Sequence, residues 1–336
     1  MPRQLRSTDV VIVGMGAAGG VAALPLAEAG LDVVGLEAGT WLDQRDFAPD
    51  EIRNNYRDWP MLVKKCENER PTSRATSATN ANRVGGHPMM NAVGGTAVHY
   101  WAQSWRLNPW DFQVVSETAR RYGRSKIPAN STVEDWPFGY DELEPYYDRV
   151  EREIGVSGQA GNVSGNIDLK GNRFEGPRKR PYPMPPLRWT GFLETMADAA
   201  HSLGWHPFPG PAAINSERYD GRAGCAYHGF CSKGGCPVNA KNSPHLTTIP
   251  KALDTGNLRI VTQAHVTTLE MDGEGRVTGV NYVVGNEEYF QPAKVVLLAC
   301  YTYENVRLLL LSKSSAYPDG LSNNHGQVGR HYFSHH

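Results

Sequence analysis

The first forty residues alternate between uninterrupted apolar runs and glycine-rich breaks. DVVIVG (9–14) is a continuous apolar run of the kind that forms a strand buried on both faces, and AALPLAEAG (22–30) reads as a helix ending at Gly30. LDVVGLEAG (31–39) repeats the strand pattern. The opening therefore predicts one strand–helix–strand unit of a doubly wound parallel sheet. From about 40 to 90 the pattern turns irregular and polar, with frequent Pro, Asn and Arg, which predicts a long excursion lying over a ligand.

YDELEPYYDRVEREIG (140–155) has helical spacing: Leu143, Tyr146, Tyr147, Val150 and Ile154 share a face, and Asp141 with Glu144 forms a candidate capping box. Residues 155–188, rich in Gly, Asn, Arg and Pro, read as linker or surface loop. A further helix is expected over 191–203, starting at Thr190 and stopping before Gly204. LRIVT, HVTTLEMD, RVTGVNYV and KVVLLAC read as strands, separated by the turn DGEG and the polar stretch GNEEYFQPA, and ENVRLLLLS as the helix after the last. A sheet opened by residues 9–39 and resumed by 257–312 implies a discontinuous nucleotide domain.

At 336 residues, the chain can hold two domains or one large elaborated one, and no internal repeat is visible. Basic and acidic residues nearly balance, 34 against 35, and are scattered, which argues against nucleic acid or anionic lipid as partner. The longest apolar runs fall far short of the ~20 residues of a membrane helix, so no transmembrane segment is expected. MPRQLRSTD lacks a leucine-rich signal core, so the expected location is cytoplasmic, or periplasmic by export with a signal-bearing partner subunit. Five cysteines are too few for a disulfide scaffold, but Cys225, Cys231 and Cys236 fall within twelve residues while Cys66 and Cys300 stand apart.

GMGAAGGVAA places Gly14, Gly16, Gly19 and Ala23 in the spacing G-x-G-x-x-G-x-x-x-A, between a strand and the helix it opens. The first glycine permits the tight turn, the second lets the backbone approach a pyrophosphate, and the third allows close helix–strand packing. Glu37, at the end of the next strand and 23 residues past Gly14, can accept hydrogen bonds from both ribose hydroxyls and would repel a 2′-phosphate. An ordinary glycine-rich turn needs no such company of strand, helix and carboxylate, so a dinucleotide other than NADP is expected. In NAVGGTAVHYW (91–101) a second glycine pair, Gly94–Gly95, is followed by His99, Tyr100 and Trp101. Close backbone approach beside aromatic surface suits a flat isoalloxazine and favours FAD over NAD.

Here the chain resembles the GMC (glucose-methanol-choline) flavoprotein oxidoreductases, in particular the bacterial branch of gluconate, fructose and glucose dehydrogenase flavoprotein subunits. The resemblance rests on the N-terminal G-x-G-x-x-G with Glu37, on VGGTAVHYW, on DWPFGYDELEPYYDRVE and on NAKNSPHLTTIPKALDTGNLRIVTQAHVTTLEMDGEGRVTGV. It implies an α/β fold: an FAD-binding, Rossmann-like doubly wound sheet, discontinuous, with an incomplete α+β substrate domain. The implied organisation is a first FAD-binding segment over 1–40, a flavin-covering excursion over 41–135, substrate-domain elements with the Cys-rich loop over 136–256, a later FAD-binding segment over 257–315, and a truncated entry into the rest of the substrate domain over 316–336.

The resemblance also implies that Gly14, Gly16, Ala18, Gly19 and Glu37 bind the cofactor, that Gly94, Gly95 and Thr96 lie against pyrophosphate and flavin, and that Val266 meets the adenine through its backbone. His99 stands where some relatives bond the flavin covalently and others carry a non-bonding histidine. Much of the family has glycine where this chain has Cys300 or Tyr301. The implied activity is oxidation of CH–OH groups of sugars, sugar acids or other alcohols, with hydride passing to flavin N5 and electrons to a cytochrome subunit or quinone.

The cysteines of CAYHGFCSKGGCPVNAK are spaced C-x5-C-x4-C-P. Three thiolates could hold the irons of a [3Fe-4S] cluster, and some relatives carry a similar segment ending in Cys-Pro. Zinc would need a fourth ligand, with His228 the nearest candidate; small buried thiols or one disulfide are the structural alternatives. The family's catalytic His pair is expected beyond residue 336. VGRHYFSHH resembles a mid-chain family motif, which makes His335 an internal structural histidine and His336 its neighbour rather than the catalytic pair. The alternative to an enzyme is a non-catalytic flavin-binding fragment or subunit that acts only with a partner or the missing segment. An NAD-linked dehydrogenase is disfavoured by the VGGTAVHYW loop.

Overall fold

The computed structural model describes residues 2–47, 52, 72–74, 79–83, 89–229 and 234–332. In chain order the strands are β1 (Arg3–Gln4), β2 (Thr8–Val13), β3 (Val33–Leu36), β4 (Thr72–Ser73), β5 (Asn82–Arg83), β6 (Asn162–Val163), β7 (Asn166–Ile167), β8 (Leu258–Val261), β9 (Ala264–Met271), β10 (Val277–Val284) and β11 (Glu287–Leu298). The α-helices are α1 (Ala17–Glu28), α2 (Val114–Tyr122), α3 (Tyr140–Ile154), α4 (Gly191–Ser202), α5 (Thr248–Asp254) and α6 (Thr302–Leu311). They fall into two compact units. One takes the described residues of Met1–Tyr100, His228–Pro237 and Ser243–His336, the other Trp101–Tyr227 and Val238–Asn242.

The first unit is built on a sheet of order β8-β3-β2-β11-β10-β9, with β1 pairing β11. β8, β3, β2 and the second half of β11 run parallel, while β11, β10 and β9 form an antiparallel meander. The continuous apolar run of β2 is what a parallel strand needs. Ile12 and Val10 pack into one cluster with Ala23, Leu24, Val33 and Ile249, while Val11 and Val13 pack into another with Val34, Leu36, Leu269 and Val280. Each such fully buried aliphatic side chain contributes about 1.5–3 kcal/mol relative to exposure.

Contrary to expectation, GNEEYFQPA is not a loop between strands: it supplies the first half of β11. That strand pairs antiparallel with β10 over Glu287–Pro292 and then parallel with β2 over Ala293–Leu298. Cross-strand stacking explains it: Tyr289 stacks on Tyr282 at 5.2 Å across the β10 pair, while Glu287 and Glu288 are exposed. Pro292, which cannot donate to a ladder, sits where the partner changes.

The second unit contains α2, α3, α4 and the β6–β7 ribbon. Helix α3 forms as expected, with Leu143, Tyr147, Val150 and Ile154 of the expected face half-buried, but it buries a neighbouring polar stripe more deeply. Tyr140, Glu144, Asp148 and Glu151 are buried, whereas Tyr146 is 66% exposed. Its first turn is closed by Glu142, which accepts the Gly139 N–H at 3.1 Å; the expected Asp141–Glu144 box is absent. The partner of that polar stripe comes from the stretch expected to be a surface loop. Arg178 is 1% exposed, and Val156, Ser157, Tyr182 and Met184 are buried with it.

Arg178 and Arg106 converge on one carboxylate. Glu151 accepts from Arg106 Nε at 2.7 Å and Nη2 at 2.8 Å, and from Arg178 Nη2. Arg106 Nη1 also reaches Tyr140 Oη at 3.1 Å and Glu144 Oε1 at 3.3 Å, and the Arg178 guanidinium lies 3.6 Å over the Tyr182 ring. Burial opposes the charge on Arg106, but the hydrogen bonds and charge of Glu151 hold it protonated well above the usual arginine range. Burial pushes the Tyr182 hydroxyl up to about 12.

Candidate dinucleotide site

The turn after β2 requires its glycines for stated steric reasons. Gly14 has φ +89°, and a Cβ there would stand 2.6 Å from Cys300 Cα. Gly19 is pressed against the Gly14 carbonyl, so the third glycine is the close-packing one. A Cβ on Gly16, by contrast, would meet only Gly95 Cα, at 3.7 Å, apart from its own chain neighbours. That open side is the approach a pyrophosphate needs. Ala17 and Ala18 are exposed in the first turn of α1, which carries no acidic side chain, so its unpaired amides and the positive helix end face outward unopposed.

Glu37 is 6% exposed and held from two sides. Its Oε2 accepts the Met15 N–H and its Oε1 the Gly39 N–H, both at 2.9 Å. A carboxylate has about four acceptor positions, and two bonds to backbone fix its orientation. The main chain around it ties β3 to both following strands, with Glu37 N–H donating to Val261 O at 3.0 Å and Ala264 N–H to Glu37 O at 2.9 Å. Two residues on, Val266 has its side chain in the core and pairs with Tyr282 in the β9–β10 ladder.

The second glycine pair docks directly on the first loop. Gly94 N–H donates to Met15 O at 2.7 Å, and Gly95 N–H to Ala92 O at 2.7 Å. Both glycines have positive φ, +95° and +55°, and a Cβ on Gly95 would lie 2.8 Å from Gly16 Cα. Gly95–Val98 then form a single 3-10 turn that includes Thr96, closed by His99 N–H donating to Thr96 O at 3.2 Å. His99 is 2% exposed, and burial pushes the neighbouring Tyr100 hydroxyl far above its ordinary range. Thus the first unit brings together Gly14, Gly16, Ala18, Gly19, Glu37, Gly94, Gly95, Thr96 and His99, with Val266 on the adjoining strand.

A group that the sequence reading passed over supports them. Ser243, Pro244 and His245 are buried ahead of α5, and a Cβ on Gly94 would stand 2.8 Å from His245 Nδ1. Only the motif SPH immediately before a helix could have signalled it. Beside Gly14, the loop after β11 is held by Asn305, whose Oδ1 accepts the Cys300 N–H at 3.1 Å and the Cys300 Sγ–H at 3.0 Å. The next residue, Tyr301, has φ +79°, a conformation that costs a bulky side chain about 1–3 kcal/mol and that explains why glycine suits this loop.

Cys225 belongs to the second unit and Cys236 to the first, and Cys231 lies outside the described residues, as do Cys66, His335 and His336. No group of three or more His, Cys, Asp or Glu placed to hold a metal ion occurs among the described residues. No described helix is long and apolar enough to cross a membrane.

Residues 192–336 match the family model of the GMC oxidoreductases. That stretch is a GMC oxidoreductase domain. Over 98% of its length the chain is 32% identical to the gluconate 2-dehydrogenase flavoprotein of Pantoea cypripedii, of which it covers 56%. It is also 30% identical, over its whole length, to 60% of the fructose dehydrogenase large subunit of Gluconobacter japonicus. Among solved structures it resembles an FAD-dependent oxidoreductase from Chaetomium thermophilum, with a TM-score of 0.55 at 17% identity over 91% of this chain and 47% of that one. That likeness shows the fold. The chain spans little more than half the length of the curated relatives it matches.

Proposed function

We propose that this chain forms the FAD site of an oxidoreductase that acts on CH–OH groups of sugars, sugar acids or other alcohols. The observation that carries the reading is the interlocking of two glycine loops, Gly94 on Met15 and Gly95 on Gly16, beside a buried, oriented Glu37. A single glycine loop serves many nucleotides; the second one, with His99 and Tyr100 following its turn, favours a cofactor with a flat ring system. The names of the relatives, a gluconate dehydrogenase and a fructose dehydrogenase, support the substrate class.

The residues fit the cofactor. Open backbone at Gly16 and the exposed first turn of α1 at Ala17 and Ala18 would hold the pyrophosphate, Glu37 would hold the ribose, and Gly94, Gly95 and Thr96 would line the approach to the flavin. When bound, FAD supplies a two-electron acceptor at N5. The chain's own role is to bind and orient. Main-chain donors need no rearrangement to meet an anion, and Glu37, already fixed by two amides, loses little freedom on meeting the ribose. Electrons would leave to an acceptor of the quinone or cytochrome class.

FAD added to the purified chain should bind with the absorption and quenched fluorescence of a protein-held flavin. Glu37→Ala should weaken it by about 1.5–3 kcal/mol, roughly ten- to hundredfold, because charge-assisted hydrogen bonds are lost. Unaltered affinity would remove Glu37 from the site, and binding of NAD in place of FAD would overturn the reading.

A further inference from the structure

We propose that Ser243 and His245 form a positioning pair that sets the height of the Gly94–Gly95 loop above the dinucleotide loop, and so governs affinity for the flavin half of the cofactor. The proposal rests on the FAD reading given above. Its basis is a segment about 150 residues away in sequence that touches both glycine loops at once.

On one side, Thr248 Oγ1 donates to the Gly20 carbonyl at 2.7 Å, and Pro244 and Ile249 crowd the place where a Gly20 side chain would be. This fixes the segment to the first turns of α1. On the other side, His245 lies under Gly94, whose absent Cβ would meet its Nδ1 at 2.8 Å and its Cβ at 3.2 Å. Ser243 Oγ hydrogen-bonds to that same Nδ1, and the two residues are 1% and 7% exposed. A side chain buried this deeply and held in one rotamer by a neighbouring hydroxyl acts as a rigid spacer.

The spacer has something to set. Gly94 and Gly95 both hold positive φ, a conformation available to glycine but defined only by what surrounds it. On one side the loop is fixed by the Gly94 bond to Met15 O and the Gly95–Gly16 approach; underneath, it rests on His245. Removing the imidazole leaves a void under a permissive backbone, and the loop can sink away from the flavin side without disturbing β2, β3 or Glu37.

The test uses the full chain and three variants, His245→Ala, Ser243→Ala and His245→Asn. In cofactor-free protein, hydrogen exchange at residues 93–99 should quicken by at least about tenfold in His245→Ala while β2 and β3 keep their protection. FAD affinity should fall by at least about tenfold, the scale of a misplaced binding element, while affinity for ADP stays within about twofold. Ser243→Ala should show the same pattern more weakly, and His245→Asn, which keeps a polar partner for Ser243, should restore much of the loss. Unchanged exchange at 93–99, or equal losses of FAD and ADP with general loosening, would overturn the proposal. If the unmodified chain bound no FAD, the proposed function would fall, and the exchange data would still decide whether the pair positions the loop.

Discussion

The two units exclude water from their interiors in opposite ways. In the first, a mixed sheet is covered by Val, Ile, Leu and Ala, and strand β2 alone contributes Val10, Val11, Ile12 and Val13 to two apolar clusters. In the second, helix α3 buries Glu144, Asp148 and Glu151 and leaves Tyr146 outside, because arginines meet those carboxylates: Arg106 at Glu144 and Glu151, Arg178 at Glu151, and Arg152 and Arg180 at Asp148. An apolar core tolerates any partner of suitable shape, whereas a buried ion requires one particular opposite charge in one geometry. The first unit is therefore redundantly held, and the second depends on a few specific contacts.

That contrast can be tested hardest at Glu151, where both guanidiniums converge. Glu151→Ala should cost about 3–5 kcal/mol, since it strands two buried cations. Hydrogen exchange should show the loss in residues 140–184 and leave β2 and β3 protected; a loss spread evenly over both units would erase the distinction drawn between them. A milder change probes the other side. Ile12→Val removes one buried methylene from a fully covered strand and should cost about 0.5–1.5 kcal/mol, measured by denaturant unfolding, with no selective loosening of the second unit.

The smallest effect expected is a change of slope with pH. Burial raises the Glu175 carboxyl above its ordinary value of 4.5, against the pull of the Gly161 amide and the Arg178 charge. A carboxyl whose folded pKa is raised favours the folded state most below its unfolded value, and that contribution is lost as pH rises through the raised one. Glu175→Gln should flatten this region of the pH–stability profile of the second unit. An unchanged profile would mean that Glu175 does not sense its surroundings as described.

Legibility in the sequence followed the same division. β2, α1, β3 and the strands from 258 onward were readable because their burial is apolar and their period local. The strand β11 was only half readable: its first half, EEYFQP, looks like a polar loop until Tyr289 finds Tyr282. Residues 155–188 were misjudged because Arg, Gly and Pro signal surface by type, and nothing in the type of Arg178 says that Glu151 and Tyr182 will enclose it.

Within the candidate site, sequence alone determined the Gly14–Gly16–Gly19 turn, the helix it opens and Glu37 at the end of the next strand. Those groups meet through a single strand–helix–strand step, so their spacing along the chain nearly dictates their spacing in space. Tertiary structure alone decided that Gly94 would donate to Met15, that Gly95 would press on Gly16, and that Ser243, His245 and Thr248 would brace both loops. Such contacts join segments about 80, about 150 and about 230 residues apart, and the chain between them carries no local pattern that records which side chain will arrive. Their geometry is set by the packing of the whole unit, because a glycine backbone has no conformational preference of its own strong enough to choose it.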